Sequence, residues 1–368
     1  MSDYVLRCIT CKKEFNPKPG LYYCEDCGYI MGTLEVIYDY ESIKEESAVK
    51  EKKFDKKASM YQFDFLLPVK LKSQLDEYVG GTPLYKFDLL GIKDVLIKYD
   101  GSNPSSSYKD RASSVAINKA LEEGNDTIFC ASTGNAASSL AMLNAHTDIK
   151  THIFVPSTIP AGKLTQLEIS GAEVFAVEGT YDEVYDFSLE LGLKKGWYCR
   201  HAAINPYLLE GKKTGAFEII IQNDFKVPDY VLVGVGDGTV VSSLYKGFWE
   251  FKEIGLTDKI PKIVGVQAEG IPAIKEVFDK GKPYKPIAIK GETIADSISV
   301  GKPRDVIKAC TYVGASNGFF ISLSDKEILE SIAELGKKTG IFAEPAGAVP
   351  FGGLKKLIYE EKIAESDT

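Results

Sequence analysis

The chain has 368 residues, of which 44% are hydrophobic and 26% are charged, so it can bury two sizeable cores and a small appendage. Its formal net charge of -8 disfavours nucleic acid as the main partner. The sequence contains no run of about 18 apolar residues, and its start lacks the pattern of a signal peptide, so we expect a cytoplasmic protein without a membrane partner.

Four of the seven cysteines form two C-x2-C pairs near the start of the chain. They are Cys8, Cys11, Cys24 and Cys27. Two such turns can place four thiolates around one soft cation, which predicts a zinc site, with an empty, reduced ribbon or an iron site as alternatives. Protein fills all four ligand positions, and acidic residues outnumber basic ones nearby, so we expect a structural zinc ribbon over residues 1–40.

Residues 41–79 follow as a linker and N-terminal extension, and their first part is highly charged. From about residue 80, short apolar segments alternate with helical patterns, which predicts parallel sheets covered by helices on both faces. The predicted strands are VLIKYD (95–100), TIFCAS (127–132), THIFVP (151–156), EVFAVEG (173–179), YVLVGVG (230–236) and KIVGVQAEG (262–270). Ligands of such sheets bind beyond the carboxyl ends of the strands, so the turns at those ends are the candidate sites.

Lys109 stands in the segment NPSSSYKDRASS (103–114), where apolar residues begin to recur at helical spacing. Ser106 or Ser107 is the predicted N-cap, which places Lys109 in the first turn, where the helix dipole disfavours a cation by about 0.3–1 kcal/mol. A solvated surface lysine tolerates that cost. The other interpretation is a lysine with a lowered pKa that forms a Schiff base.

Two further turns directly follow predicted strands. The first opens a helix of small residues and consists of Ser132, Thr133, Gly134 and Asn135. Its N–H groups could face an anion, although an ordinary N-cap also explains them. The second has alternating glycines and consists of Gly234, Val235, Gly236, Asp237, Gly238 and Thr239. Three glycines before a helix favour a phosphate cup over a tight strand-to-helix turn.

These features together match the needs of pyridoxal phosphate, namely a lysine for the aldehyde, an amide for the ring oxygen and a separate cup for the phosphate. Motifs along nearly the whole chain also carry a family resemblance. They are LRCITC…YYCEDCG, GGTPLYK (80–86), NPSSSYKDRA (103–112), STGNAAS (132–138), INPYLLEGKKTGAFEI (204–219), GVGDGT (234–239), GVQAEG (265–270) and AEPAGA (343–348). In order and spacing they resemble the fold-type II pyridoxal-phosphate enzymes, and among these the threonine synthases.

The resemblance implies a two-domain α/β fold with twisted, mostly parallel sheets covered by helices. Residues 80–100 and 180–368 would form a large cofactor-binding domain, and residues 101–179 a small domain carrying the lysine. In this interpretation Lys109 forms the Schiff base and moves protons, Asn135 bonds the ring hydroxyl, and the loop 234–239 holds the cofactor phosphate.

The family reaction converts O-phospho-L-homoserine and water to L-threonine and phosphate, so the resemblance also implies a second anion site for the substrate. The candidate substrate contacts are Ser132, Thr133, Lys163 and Asn205. Helix caps and a solvated surface amine are the alternatives for these residues. We further expect a small-molecule amino-acid substrate and a homodimer.

Three positions depart from the family pattern. Ala136 stands where threonine is frequent, and Thr180 and Asp186 stand where the family supplies asparagine and arginine. A carboxylate would repel a phosphate dianion, so other cations, Lys163 and Lys212, would have to bind it. The departures favour an alternative function, an ammonia-lyase or β-replacement enzyme for a non-phosphorylated amino acid.

The end of the sequence raises one more expectation. In this superfamily a last strand carries the serine or threonine that bonds the pyridine nitrogen, and that strand would lie beyond residue 368. We therefore expect the natural sequence to continue. A non-enzymatic binding protein on the same fold is the third alternative, and the intact Lys109, Asn135 and glycine loop argue against it.

Overall fold

The structure is a computed structural model that describes residues 4–46, 49 and 51–368. Its strands are β1 (Tyr4–Cys8), β2 (Glu14–Phe15), β3 (Leu34–Tyr38), β4 (Leu84–Leu89), β5 (Ile92–Lys98), β6 (Thr127–Ala131), β7 (Lys150–Pro156), β8 (Glu173–Val177), β9 (Tyr198–Cys199), β10 (Tyr230–Gly234), β11 (Lys262–Ala268) and β12 (Phe319–Leu323). Its α-helices are α1 (Gly28–Met31), α2 (Tyr40–Glu45), α3 (Lys109–Glu123), α4 (Asn135–Asn144), α5 (Ala161–Ile169), α6 (Tyr181–Lys195), α7 (Tyr207–Gln222), α8 (Thr239–Glu253), α9 (Ala273–Asp279), α10 (Val306–Ala315), α11 (Asp325–Thr339) and α12 (Pro345–Tyr359).

The chain divides into two units, of which the first comprises Met1–Pro83 and Asp100–Glu218. Its main sheet is parallel, with strand order β8-β7-β6-β9, and α4 and α6 both pack on β6 and β7. A small antiparallel sheet of order β2-β1-β3 forms the cysteine-rich ribbon. Tyr22 of the ribbon belongs to the same buried cluster as Phe129 and Cys199, so the ribbon contributes to the core of this unit.

This division differs from the predicted domain boundaries, because residues 180–218 lie in the first unit and not with residues 219–368. The reason is β9, which pairs in parallel with β6 through Ile128 opposite Tyr198 and Phe129 opposite Cys199. A strand of two residues has no periodic pattern that sequence reasoning can detect. The boundary between the units therefore depends on pairing that only the structure shows.

The second unit comprises Leu84–Tyr99 and Ile219–Thr368. Its parallel sheet has the order β10-β11-β12, and β11 contributes Val264 and Val266 to a core that also contains Val349 of α12. The strand predicted at residues 95–100 is part of β5 but ends at Lys98, and it forms an antiparallel hairpin with β4 instead of joining a parallel sheet.

Parallel sheets with helices packed on them in both units confirm the predicted α/β fold. The turns that follow β6 and β10 lie at the carboxyl ends of these sheets, as predicted. Within residues 4–46, 49 and 51–368, no helix is both long enough and apolar enough to cross a membrane.

Candidate active site

Lys109 is the first residue of α3, and its side chain is half-buried. The serine-rich loop before it is held by two sets of contacts. The N-cap residue of α3 is Tyr108, not the predicted Ser106 or Ser107, and its side chain makes no capping bond. Ser107 Oγ still accepts the backbone N–H of Lys109, at 3.1 Å, from one residue before the cap. The Asp110 carboxylate accepts the backbone N–H of Ser105 at 2.7 Å and also the Ser105 hydroxyl. These bonds fix the backbone on both sides of Lys109.

Arg111, two residues further along α3, is fully buried in a cluster of opposite charges. Its Nε donates to Asp100 at 2.7 Å and its Nη1 to Glu218 at 2.6 Å. Thr82 and Thr214 supply further acceptors at 3.0 Å and 2.9 Å. Burial alone would lower the pKa of Arg111, but the two carboxylates raise it well above its usual value. Parts of three sequence motifs (80–86, 103–112 and 204–219) thus form the support of the Lys109 helix.

The turn after β6 ends at Gly134, the N-cap residue of α4, and Asn135 is the first residue of the helix. The Gly134 N–H donates to Ser132 Oγ at 3.2 Å, which closes the turn. The bond from the Ser138 N–H to the Gly134 carbonyl, at 3.2 Å, is the first regular bond of the helix. The first N–H groups of a helix precede its first regular bond, so the start of α4 can face an anion.

One hydrogen bond joins α3 and α4 close to their starts. The Ser139 hydroxyl of α4 donates to Ser113 Oγ of α3 at 2.7 Å. Ser113 lies four residues after Lys109, and Ser139 lies four residues after Asn135, so each serine is one turn into its helix. The structure thus brings together the helix starts that carry the two predicted site residues.

Arg200, which sequence reasoning did not select, reaches the same junction. It directly follows β9 and is 1% exposed. Its Nε and Nη2 both donate to Ser113 Oγ, at 3.2 Å and 3.1 Å. Burial lowers the pKa of the Arg200 guanidinium, although arginine stays charged in proteins. No sequence signal identifies it, because a strand of two residues has no periodic pattern.

In the second unit, the glycine loop connects β10 to α8 with close backbone packing. Gly238 is the N-cap of α8 with a φ of 98°, in the left-handed region that favours glycine. A Cβ at Gly234 would lie 2.8 Å from the carbonyl oxygen of Ala346. These two glycines therefore have a packing role in addition to any role in ligand binding.

The donors of this loop fit a phosphate group. The first intrahelical bond of α8 runs from the Ser242 N–H to the Gly238 carbonyl at 3.1 Å, so the preceding N–H groups lack helical acceptors. The Thr239 hydroxyl is buried and has no hydrogen-bond partner in the described part of the chain. Asp237 fastens the loop, because its Oδ1 accepts the Arg304 backbone N–H at 2.6 Å. Val235 is buried, and its backbone N–H donates to the Val266 carbonyl at 2.9 Å.

The candidate substrate contacts lie in different settings. Ser132, Thr133 and Lys163 are half-buried, and Lys163 belongs to the first turn of α5. Asn205 is 1% exposed, its Nδ2 donates to the Cys199 carbonyl at 2.7 Å, and its Oδ1 accepts the Tyr207 N–H at 2.9 Å. This pattern favours the helix-cap alternative for Asn205. Lys212 is also buried, at 1% exposed.

The positions that depart from the family pattern lie on or before α6 and at the start of α4. Thr180 is the N-cap of α6 and forms a capping box with Glu183, so its side chain has a local structural role. Asp186, in the second turn of α6, is exposed, and Ala136 is half-buried in the first turn of α4.

The cysteine ribbon brings together the four predicted ligands. The sulfur atoms of Cys8, Cys11, Cys24 and Cys27 all lie within 4.8 Å of one another. A tight turn holds each pair of cysteines. The Lys12 N–H donates to the Cys8 carbonyl at 3.1 Å, and the Cys27 N–H donates to the Cys24 carbonyl at 3.2 Å. Such an all-thiolate set fits a soft cation in tetrahedral geometry.

Comparisons with known proteins agree with this geometry. Residues 75–368 match the family model of the pyridoxal-phosphate dependent enzymes. The chain is 39% identical to a threonine synthase of Methanosarcina acetivorans, covering 99% of this chain and 89% of the relative. It is 41% identical to a threonine synthase of Methanocaldococcus jannaschii, covering 98% of this chain and 89% of the relative.

Among solved structures, the processed form of threonine deaminase isoform 2 from Solanum lycopersicum superposes with a TM-score of 0.68 at 22% identity, covering 84% of this chain and 82% of that chain. An identity this low supports the fold alone. The family model and the extensive identity to curated relatives support more than the fold. The chain belongs to the pyridoxal-phosphate dependent enzymes and, among them, to the threonine synthases.

Proposed function

We propose that this chain catalyses the threonine synthase reaction, in which O-phospho-L-homoserine and water give L-threonine and phosphate. The observation that carries the proposal is the identity of 39% and 41% to threonine synthases along nearly the whole chain. A lyase for a non-phosphorylated amino acid is the second candidate, because the exposed Asp186 places a carboxylate on α6.

Three groups of residues would hold pyridoxal phosphate. Lys109 would bind its aldehyde carbon, Asn135 would bond its ring oxygen, and the loop 234–239 would bind its phosphate. The buried Thr239 hydroxyl and the N–H groups at the start of α8 support the last role. When bound, the cofactor supplies an electron sink that stabilises negative charge on the substrate carbons.

The protein's own residues would then move protons and bind anions. Lys109 Nζ would accept the proton of the substrate α-carbon and return protons later in the reaction. As the Cγ–O bond breaks, the leaving phosphate takes the electron pair, and the oxygen of water finally bonds to Cβ. The first turn of α4, with Ser132, Thr133 and Lys163, would bind the anionic groups of the substrate. Asn205 would position this region through its bonds to Cys199 and Tyr207.

The reaction is tested by measuring phosphate and threonine released from O-phospho-L-homoserine by the purified holoenzyme. We expect equal amounts of both products from the wild type and neither from Lys109→Ala. The exposed Lys70 offers a matched control, because Lys70→Ala removes a lysine of the same unit outside the site. Ammonia released from serine or threonine, without phosphate release from O-phospho-L-homoserine, would support the second candidate instead.

Asp186→Arg distinguishes the two candidates further. If phosphate is bound by other cations, this change at an exposed position should alter turnover of O-phospho-L-homoserine little. If the natural substrate carries no phosphate, the same change should improve the binding of phosphorylated analogues. The KM of each variant for the phosphorylated substrate is the measurement.

The cofactor roles are tested without turnover. Borohydride reduction followed by peptide mapping should find the pyridoxyl group on the peptide containing Lys109 and none in Lys109→Ala. Thr239→Val removes the unpartnered hydroxyl at nearly constant volume, and we expect pyridoxal phosphate to bind about ten-fold more weakly to the apoenzyme. Unchanged affinity would argue against the assigned phosphate loop.

We also propose that the four clustered cysteines bind one structural zinc ion. Metal analysis should find about one zinc per chain, lost in Cys11→Ser, since each thiolate is one of four ligands. Cys310→Ala is the matched control, because this buried cysteine lies outside the cluster. Absence of zinc from wild-type protein, or zinc retained in full by Cys11→Ser, would contradict the proposal.

The expected homodimer and the cytoplasmic location stay predictions. Light scattering of the purified protein should give twice the mass of 40.4 kDa if two chains associate. A monomer would contradict the prediction of a homodimer without affecting the assigned residues.

A further inference from the structure

We propose that Arg200 provides positive charge to the substrate-phosphate subsite from beneath the first turn of α4, as a positioning residue that does not touch the phosphate. The inference rests on the proposed function, since it concerns the anion that the reaction requires. It would explain how the enzyme attracts a dianion although Asp186 stands where the family supplies an arginine.

The first step is the place of Arg200 in the sheet. Its backbone N–H donates to the Phe129 carbonyl at 2.8 Å, so it continues the pairing of β9 with β6. Three residues after Phe129, β6 gives way to the turn that begins at Ser132. Because β6 and β9 are parallel, both strands lead toward the edge of the sheet where that turn presents its N–H groups.

The second step is the partner of the guanidinium. Arg200 is 1% exposed, and among the described residues its side chain donates only to the neutral hydroxyl of Ser113. Within the residues that the structure describes, no aspartate or glutamate forms an ion pair with it. The Asp110 carboxylate is bonded to Ser105 and does not contact the guanidinium, although its charge acts to raise the pKa of Arg200 against the effect of burial. The charge of Arg200 is therefore buried without a contacting counterion, which leaves its field available to a ligand.

The third step is the distance over which that field acts. Ser113 and Ser139 lie one helical turn after Lys109 and Asn135, so the guanidinium lies roughly one turn, about 5 Å, beneath the helix starts. At that depth a unit charge in protein changes the affinity for a dianion by about ten- to a hundred-fold. The dipole of α4 acts in the same direction, because its N-terminus carries a partial positive charge.

The test compares ligands with and without a phosphate group on the holoenzyme. Inorganic phosphate is titrated by calorimetry, and L-threonine by its effect on the cofactor absorbance. Arg200→Met should weaken the binding of phosphate about ten- to a hundred-fold. It should change the affinity for threonine little, because threonine carries no dianionic group. Arg200→Lys should retain most of the phosphate affinity. In turnover, Arg200→Met should raise KM for O-phospho-L-homoserine more than it lowers kcat.

Two further variants separate the effect of the Arg200 charge from the effects of its hydrogen bonds and of misfolding. Ser113→Ala removes the hydrogen-bond acceptor but keeps the charge, so we expect near wild-type phosphate affinity. Arg200→Gln keeps a donor for Ser113 and replaces Arg200→Met if that variant does not fold. The proposal would be overturned if Arg200→Met or Arg200→Gln lost affinity for phosphate and threonine equally. It would also be overturned if either variant kept the wild-type affinity for phosphate. Calorimetry needs no turnover, so a failure of the proposed reaction would be seen separately, as absent product.

Discussion

Two buried arginines support the helix that begins at Lys109, and they differ in their partners. Arg111 is 0% exposed and contacts two carboxylates, those of Asp100 and Glu218. Arg200 is 1% exposed, and in the described part of the chain its side chain donates only to the Ser113 hydroxyl. A charge enclosed by counterions holds the fold together and projects little field beyond its partners. A charge paired with a neutral hydroxyl stabilises the fold less, but its field reaches the adjacent helix starts.

The largest expected effect follows from breaking the paired cluster. Arg111→Met would leave Asp100 and Glu218 as buried carboxylates without a cation, and we expect the free energy of unfolding to fall by about 3–5 kcal/mol. Urea unfolding monitored by circular dichroism measures this loss.

Arg200→Met is the matched variant for that measurement. It removes a buried charge that no carboxylate contacts within the described residues, so stability should change by less than about 1 kcal/mol or increase. Similar losses in both variants would show that the two arginines do not differ as described.

A buried carboxylate at the other end of α3 extends the comparison. Asp76 is 0% exposed, accepts a hydrogen bond from Asn118 Nδ2 and has no partner for Oδ1 among the described residues. Burial raises the pKa of Asp76 to about 7. Because the folded pKa lies above the unfolded one, the stability contribution is complete below about pH 4 and is lost as pH rises through about 7.

We therefore expect the free energy of unfolding of the wild type to fall by about 4 kcal/mol between pH 4 and pH 8 relative to Asp76→Asn, which cannot ionise. Urea unfolding at several pH values measures the difference. Asp88→Asn changes an exposed aspartate and serves as control. The same pH dependence in wild type and Asp76→Asn would contradict the assignment.

A smaller effect should follow at β9, the strand that precedes Arg200. The Tyr22 hydroxyl of the ribbon accepts the backbone N–H of Cys199 at 3.1 Å. Tyr22→Phe would leave this buried N–H without an acceptor, and we expect a loss of about 1–3 kcal/mol in stability. Tyr23→Phe changes a half-buried neighbouring tyrosine and should lower the stability by less. If both variants unfold at the same urea concentration, the ribbon does not support β9 as described.

The smallest effect concerns the surface of α6. Thr180→Ala removes the cap and its capping box, and we expect a loss of about 1 kcal/mol with unchanged KM for O-phospho-L-homoserine. Thr180→Ser should retain the cap. A large increase in KM without loss of stability would instead assign Thr180 to the substrate site.

The starts of α3 and α4 were predictable from sequence, because glycine turns and helical spacing are local signals, although the N-cap of α3 is Tyr108 and not a serine. Lys109 and Asn135 accordingly both open helices in the first unit. Arg200 was not predictable, because its contact with Ser113 spans 87 residues and its strand has only two. Asn205 was expected to contact the substrate, yet the structure shows local capping bonds for its side chain, a distinction that residue type alone does not make.

The origin of the oxygen atom in threonine tests the proposed reaction most directly. In water enriched in oxygen-18, the holoenzyme acting on O-phospho-L-homoserine should give threonine with the label in its hydroxyl group and phosphate without label, because water bonds to carbon and the Cγ–O bond breaks. Mass spectrometry of both products measures this. Labelled phosphate together with homoserine would show simple phosphate hydrolysis, and that result would contradict the account.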